Sequence, residues 1–101
     1  MFIYNITLKI QGAIHTDWLK WLKEVHIPDV MRTGCFAGFR IVRLLEIDDS
    51  EGPTYAVQYE TESKALYNLY LEKFAGEMRR QSFEKWGDRF IAFRSLMQIV
   101  D

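Results

Sequence analysis

Residues 2–10 alternate strictly: Phe2, Tyr4, Ile6, Leu8 and Ile10 fall on one side, and Ile3, Asn5, Thr7 and Lys9 on the other. A period of two marks a strand with one apolar face, and Gln11-Gly12 ends it. The period then changes. Trp18, Trp21, Leu22 and Val25 stand at i, i+3, i+4 and i+7, with Lys20, Lys23 and Glu24 opposite, which predicts an amphipathic helix. Thr16 is its expected N-cap, and Asp17 suits the first turn, where the helix dipole favours an anion. Pro28 removes a backbone donor and clashes with the carbonyl of Glu24, so the helix is expected to kink or restart near Ile27. Thr33-Gly34 closes the segment.

Phe36 to Ile47 reads as a long strand, Asp48 to Pro53 as a polar turn, and residues 54–61 as a third strand. In that third strand Tyr55, Val57 and Tyr59 share a face. A second helix is expected from about Ser63 to Trp86, with Leu66, Leu69, Tyr70, Phe74 and Met78 inward, Gly76 as its weak point and Gly87 as its terminator. Arg89 to Val100 alternates again. The order strand, helix, strand, strand, helix, strand folds through right-handed crossovers into a four-stranded antiparallel sheet. Both helices then lie on one face: a ferredoxin-like α+β fold, here one domain over residues 1–101.

Two helices cover only one face of such a sheet. The uncovered face is expected to carry Ile3, Asn5 and Thr7, then Ala56, Gln58 and Glu60, then Phe90, Ala92, Arg94, Leu96 and Gln98. That mixture is too apolar for water and too polar for a dry core, which points to a homodimer packed sheet to sheet. Strand 2 reads inward through Phe39, Ile41, Leu45 and Ile47, which forces Arg43 inward too; a bulge or a frayed edge is the expected relief.

Composition narrows the partners. With 49% hydrophobic residues the 101-residue chain has enough apolar material to fold. Its 13 basic and 14 acidic side chains are evenly spread, so a nucleic-acid partner has no electrostatic support. No apolar run approaches the ~20 residues that span a bilayer. The first residues show no basic, cleavable leader, and Cys35 is the only cysteine. A cytoplasmic protein without metal is expected, and no motif requires a haem, flavin or other cofactor. An RNA-recognition module would need stacking aromatics where Thr54 and Ala56 stand, and an acylphosphatase would need an arginine within residues 11–18.

The chain resembles the dimeric α+β barrel superfamily and, within it, a bacterial domain family of unknown function. The resemblance is carried by Ile3-Tyr4-Asn5, Trp18-x-x-Trp21, Glu24 to Val30, Thr33-Gly34-x-Phe36, Thr54 to Tyr59, Phe83 to Asp88 and Phe90-x-Ala92-Phe93-Arg94. It spans essentially the whole chain. It implies the barrel dimer and no particular activity; relatives elsewhere in the superfamily include cofactor-independent monooxygenases, haem-degrading enzymes, isomerases and ligand-binding regulators.

His26 is the sharpest chemical candidate, with Asp29 three residues on as the carboxylate that would orient it as a general base. A structural histidine at a helix end is the plainer reading. Trp18, Trp21, Tyr4 and Tyr59 are candidates for lining a ligand pocket between helix 1 and the sheet. Arg94 is a further candidate ligand contact, expected in the dimer lumen; the plainer reading is an ion pair across subunits with Glu60. Arg79-Arg80 is read as a solvated pair and His15 as a surface residue. Three functions follow: a homodimer binding a small, partly apolar molecule; a cofactor-free oxygenase or isomerase built on His26 and Asp29; or a dimer with no pocket.

Overall fold

The computed structural model describes all of residues 1–101. Strand β1 (Phe2–Ile10) lies at the centre of the sheet, and alternation explains its two faces: Tyr4, Leu8 and Ile10 are buried against the helices. Strands β2 (Gly38–Arg43), β3 (Thr54–Thr61) and β4 (Phe90–Gln98) complete it in the order β2-β3-β1-β4. All three pairings are antiparallel. The helices are α1 (His15–Trp21), α2 (Ile27–Met31), α3 (Lys64–Lys73) and α4 (Ala75–Trp86). This is the expected ferredoxin-like α+β fold.

The first helical segment restarts at Ile27 as expected, but by a mechanism that the sequence pattern missed. A π-helical turn, Leu22–His26, joins α1 to α2, and the Ile27 N–H donates to the Leu22 carbonyl. Pro28 then sits in the first turn of α2, where the lack of an N–H is well tolerated. The wider turn changes which side chains face in. Trp18 and Leu22 are buried, and the next buried position is Ile27, five residues on; Val25, expected inward, is exposed. Thr16 does not cap the helix, which begins one residue earlier at His15 with no side-chain cap.

The second helical segment is also divided, at Phe74 rather than at Gly76. Phe74 adopts φ −126°, ψ −34°, ending α3 and starting α4. Ser63 caps α3 by accepting the Leu66 N–H at 3.1 Å. Tyr70 is buried on the inner row, whereas Leu69, expected beside it, is exposed. Strand β2 is shorter than the expected 36–47. Phe36 leaves the sheet to stack in the core on Tyr4 and Tyr59, with ring centroids 6.1 and 5.2 Å apart, and Leu45 is exposed. No bulge is needed at Arg43: at the strand end its guanidinium lies over the Tyr55 ring, 5.9 Å from the centroid, and bonds Asp49.

The register of β4 corrects the assignment of its faces. Ile6 stands opposite Arg94, Leu8 opposite Ala92 and Tyr4 opposite Leu96. Phe90, Ala92, Arg94 and Leu96 therefore share the helix-covered face with Tyr4 and Ile6, not the open one. The open face instead carries Ile91, Phe93, Ser95 and Met97 beside Ile3, Asn5 and Thr7. Phe93 is 69% exposed and Ile91 58%. At its middle Gln58 donates to Asn5, and Asn5 to Thr7, so these side chains pair with one another while the apolar residues around them are not covered.

The β2–β3 loop is fastened to the end of β1. Gly12 N–H donates to the Glu51 carbonyl and Ile10 N–H to that of Pro53, both at 2.9 Å. Gly52 lies between them with φ 150°, and a Cβ there would sit 1.8 Å from the Ile10 carbonyl oxygen. Replacing Gly52 by Ala is expected to cost about 3 kcal/mol or more, since backbone on both sides must move. Gly76 has nothing within 4 Å of that position, so Gly76→Ala raises stability by up to about 1 kcal/mol. Urea midpoints of the two variants check the contrast; equal shifts would contradict it.

Candidate functional site

A cleft of about 70 Å³ lies between the helices and the covered face of the sheet. That is roughly half of a ~150 Å³ cavity that holds benzene, and the cleft is open at one side. β1 contributes Tyr4, Ile6 and Leu8; the first helical segment contributes Trp18, Trp21, Leu22 and His26; β3 contributes Val57 and Tyr59. Tyr70, Met78, Arg79 and Ser82 come from the second helical segment, and Phe90 and Arg94 from β4. The register accounts for the gathering. Tyr4 stands opposite Tyr59, and Ile6 is flanked by Val57 and Arg94, all with side chains toward the helices.

The π turn places His26. Its ring stacks on Trp21, centroids 4.8 Å apart, and Trp21 in turn meets the edge of Trp86 at 5.9 Å. Burial lowers the His26 pKa to about 4, against the opposing pull of the Asp29 carboxylate. The imidazole is therefore neutral at physiological pH. Its Nδ1 is buried and has no hydrogen-bond partner in the protein. The same is true of the Tyr59 hydroxyl, on a residue only 1% exposed. Burial, then the neighbouring Tyr70 and Tyr4 hydroxyls, push the Tyr59 pKa far above the ordinary phenol value, so the group is a permanent O–H donor. The Tyr4 hydroxyl, by contrast, accepts from Arg79 Nη2 at 3.3 Å.

Tyr4, Trp18, Trp21, His26, Tyr59 and Arg94 thus all line one cleft. Asp29 does not line it: its carboxylate bonds Arg32 and acts on His26 only through space. Arg94 is there by a different route from the one expected. It points to the helices and not into a dimer lumen, and Glu60, the expected partner on the opposite face, is held by Arg40 at 2.9 Å. Arg79, read as solvated, is exposed, but sequence reasoning missed that it also lines the cleft. The available signal was its place one residue after the inward Met78, on a helix whose inner row runs through Tyr70. His15 is likewise more than a surface residue, sharing a 2.6 Å hydrogen bond with the Tyr55 hydroxyl. No cluster of three or more His, Cys, Asp or Glu side chains is placed to hold a metal. No helix is long and apolar enough to cross a membrane.

Comparison with known proteins agrees with this architecture. The profile of a family described as "Domain of unknown function (DUF4286)" matches residues 1–100. The chain belongs to the DUF4286 family. No curated protein matches this DUF4286 chain. Among solved structures it is similar to a dimeric ferredoxin-like protein from an uncultured marine organism, with TM-score 0.72, 17% identity, and 100% of this chain and 96% of the other covered. A second protein of that description and source matches with TM-score 0.65 and 16% identity over 99% and 95% of the two chains. An ethyl tert-butyl ether D (EthD) family protein from Bacillus halodurans matches with TM-score 0.69 and 11% identity over 99% and 100%. At these identities the likeness is one of fold.

The buried neutral imidazole makes stability depend on pH. The unfolded chain protonates His26 near 6.5 and the folded chain only near 4. The unfolded state therefore binds more protons between these values, and stability falls as pH drops through that window. Its contribution is intact above pH 6.5. From pH 7 to about pH 4.5 the wild type is expected to lose about 2 kcal/mol more than His26→Gln. Urea unfolding at the two pH values measures this; equal losses would show that the imidazole is hydrated.

Proposed function

We propose that the DUF4286 chain binds a small, partly apolar molecule in the cleft between its first helical segment and the sheet, and does so as a homodimer joined through the open sheet faces. One observation carries the binding reading: Tyr59 and His26, from different elements, line one cleft, and each carries a buried polar atom, the hydroxyl and Nδ1, without a protein partner. Leaving such a group unpaired costs about 1–3 kcal/mol. A molecule that enters with a polar atom among apolar ones removes that cost. The aromatic walls, Trp18, Trp21, Tyr70 and Phe90, favour an apolar body.

The reading of His26 as a general base has less support. A base with pKa about 4 has little driving force to take a proton from a weak acid at neutral pH, and its proposed orienter Asp29 is engaged by Arg32. As a polar anchor a neutral imidazole serves well. A cytoplasmic setting fits the single buried free thiol, Cys35.

The dimer reading is supported by the open face. Ile91, Phe93 and Met97 form an exposed apolar row on β4, continued by Val42 on β2, and such patches mark association surfaces. Two structures of the same fold are described as dimeric. The Asn5–Gln58–Thr7 ladder in the middle enters such an interface already partly paired within the sheet.

Two measurements test these readings. Tyr59→Phe removes the unpaired hydroxyl, so the free protein should gain about 1 kcal/mol in urea unfolding while its affinity for a neutral probe, benzyl alcohol, falls. A loss of stability instead would mean that the hydroxyl bonds within the protein, and the binding reading would fail. Sedimentation at micromolar concentration should give a dimer for the wild type and a folded monomer for Phe93→Glu. A wild-type monomer would refute the dimer.

A further inference from the structure

The arginines of this chain divide by whether a carboxylate holds them. Of the seven, Arg32 is paired with Asp29, Arg40 with Glu60, Arg43 with Asp49, and Arg80 with both Glu77 and Glu84. Arg89 donates to the Trp86 carbonyl. Only Arg79 and Arg94 remain without an anionic partner or a carbonyl, and both line the same cleft. They arrive from opposite walls. Arg79 stands on α4, and Arg94 projects from the middle of β4, between Ala92 and Leu96 on the covered face. Both act electrostatically on Tyr70, a third residue lining the same cleft.

Nothing nearby neutralises them. The lining contains no aspartate or glutamate, and His26 contributes no charge at neutral pH. An otherwise apolar cleft therefore holds two positive charges. The exposed arginines and the buried Trp18 and Tyr59 make a gradient from a cationic opening to an aromatic interior with two polar atoms. The guanidinium fork matches a carboxylate by two parallel N–H···O bonds, and such bonds are stronger when the surroundings are apolar.

We infer that the cleft selects small apolar carboxylates, with Arg79 and Arg94 as the anion clamp and the aromatic walls around the apolar body. This rests on the binding reading above and adds to it the charge of the ligand and two specificity-determining residues. Arg79 also donates to Tyr4, so a ligand carboxylate meets one arginine already oriented by the sheet.

The test is calorimetric titration of the full chain with benzoate and with benzamide, which share shape and ring but not charge. Benzoate is expected to bind at least about tenfold more tightly. Arg94→Gln is expected to remove that preference, benzoate losing far more affinity than benzamide, with little change in the unfolding midpoint, because Arg94 holds no ion pair. Arg79→Gln should do the same with some loss of stability through Tyr4. Equal binding of acid and amide would overturn the anion clamp and leave the binding reading standing. A benzoate preference that survives in both variants would place the anion elsewhere and overturn the assignment. Binding of neither probe would overturn both.

Discussion

A buried hydrogen-bonding group without a partner is the constraint on which this structure turns. The Tyr59 hydroxyl lies beneath the helices, within a cluster of Tyr4, Phe36 and Tyr70 rings that supplies contact but no acceptor to it. The packing that fixes the sheet against the helices, with aromatic rings from β1, β3 and α3 in mutual contact, also withdraws that hydroxyl from water. His26 repeats the situation from the other side. A π turn next to Pro28 widens the helix by one residue, and the imidazole is carried onto Trp21 with its Nδ1 buried and unpaired. Wide turns of this kind often sit at functional sites. Here the turn stands beside a proline that cannot donate, in a helix that continues nonetheless.

The sheet turns its two faces to different tasks. The covered face holds a cleft with two arginines, and the open face is more apolar than the face under the helices along β4. That inversion explains where sequence reading stopped. In β1 and β3 one series of alternate residues is plainly apolar, Tyr4, Ile6 and Leu8 or Tyr55, Val57 and Tyr59, and their inward direction was legible. In β4 both series are apolar, Phe90, Ala92 and Leu96 against Ile91, Phe93 and Met97, so composition could not choose between them. Only the pairing of Ile6 with Arg94 decides it, and strand pairing is a non-local fact that alternation does not contain. A strand whose more apolar side faces outward is what an association surface produces, and it misleads any rule that sends the greasier side to the core.

The site was legible to a similar degree. The aromatic residues on the inward faces, Trp18, Trp21, Tyr4 and Tyr59, and His26 at the end of the first helical stripe do meet in one cleft. Arg94 was expected on the open face; it lines the cleft, but from the helix-covered face. Arg79 escaped because a doublet of arginines on a helix resembles a solvated pair; its neighbour Arg80 is one, held by Glu77 and Glu84. Val25 and Leu69 fell outside the core because a π turn and a break at Phe74 reset the helical phase, and a single period cannot foresee such a reset. The family relationship and the fold likeness agree with the architecture, and the chemistry rests on these side chains alone.

The central claim is that the Tyr59 hydroxyl and His26 Nδ1 face a cleft that a molecule enters, and are not satisfied by the protein itself. A crystal structure at a resolution that shows ordered solvent tests it most directly. The account predicts density in the cleft, water or ligand, within hydrogen-bond distance of both atoms, with Arg79 and Arg94 free of carboxylates. A dry, closed interface in which both atoms bond to neighbouring backbone or side chains would contradict it.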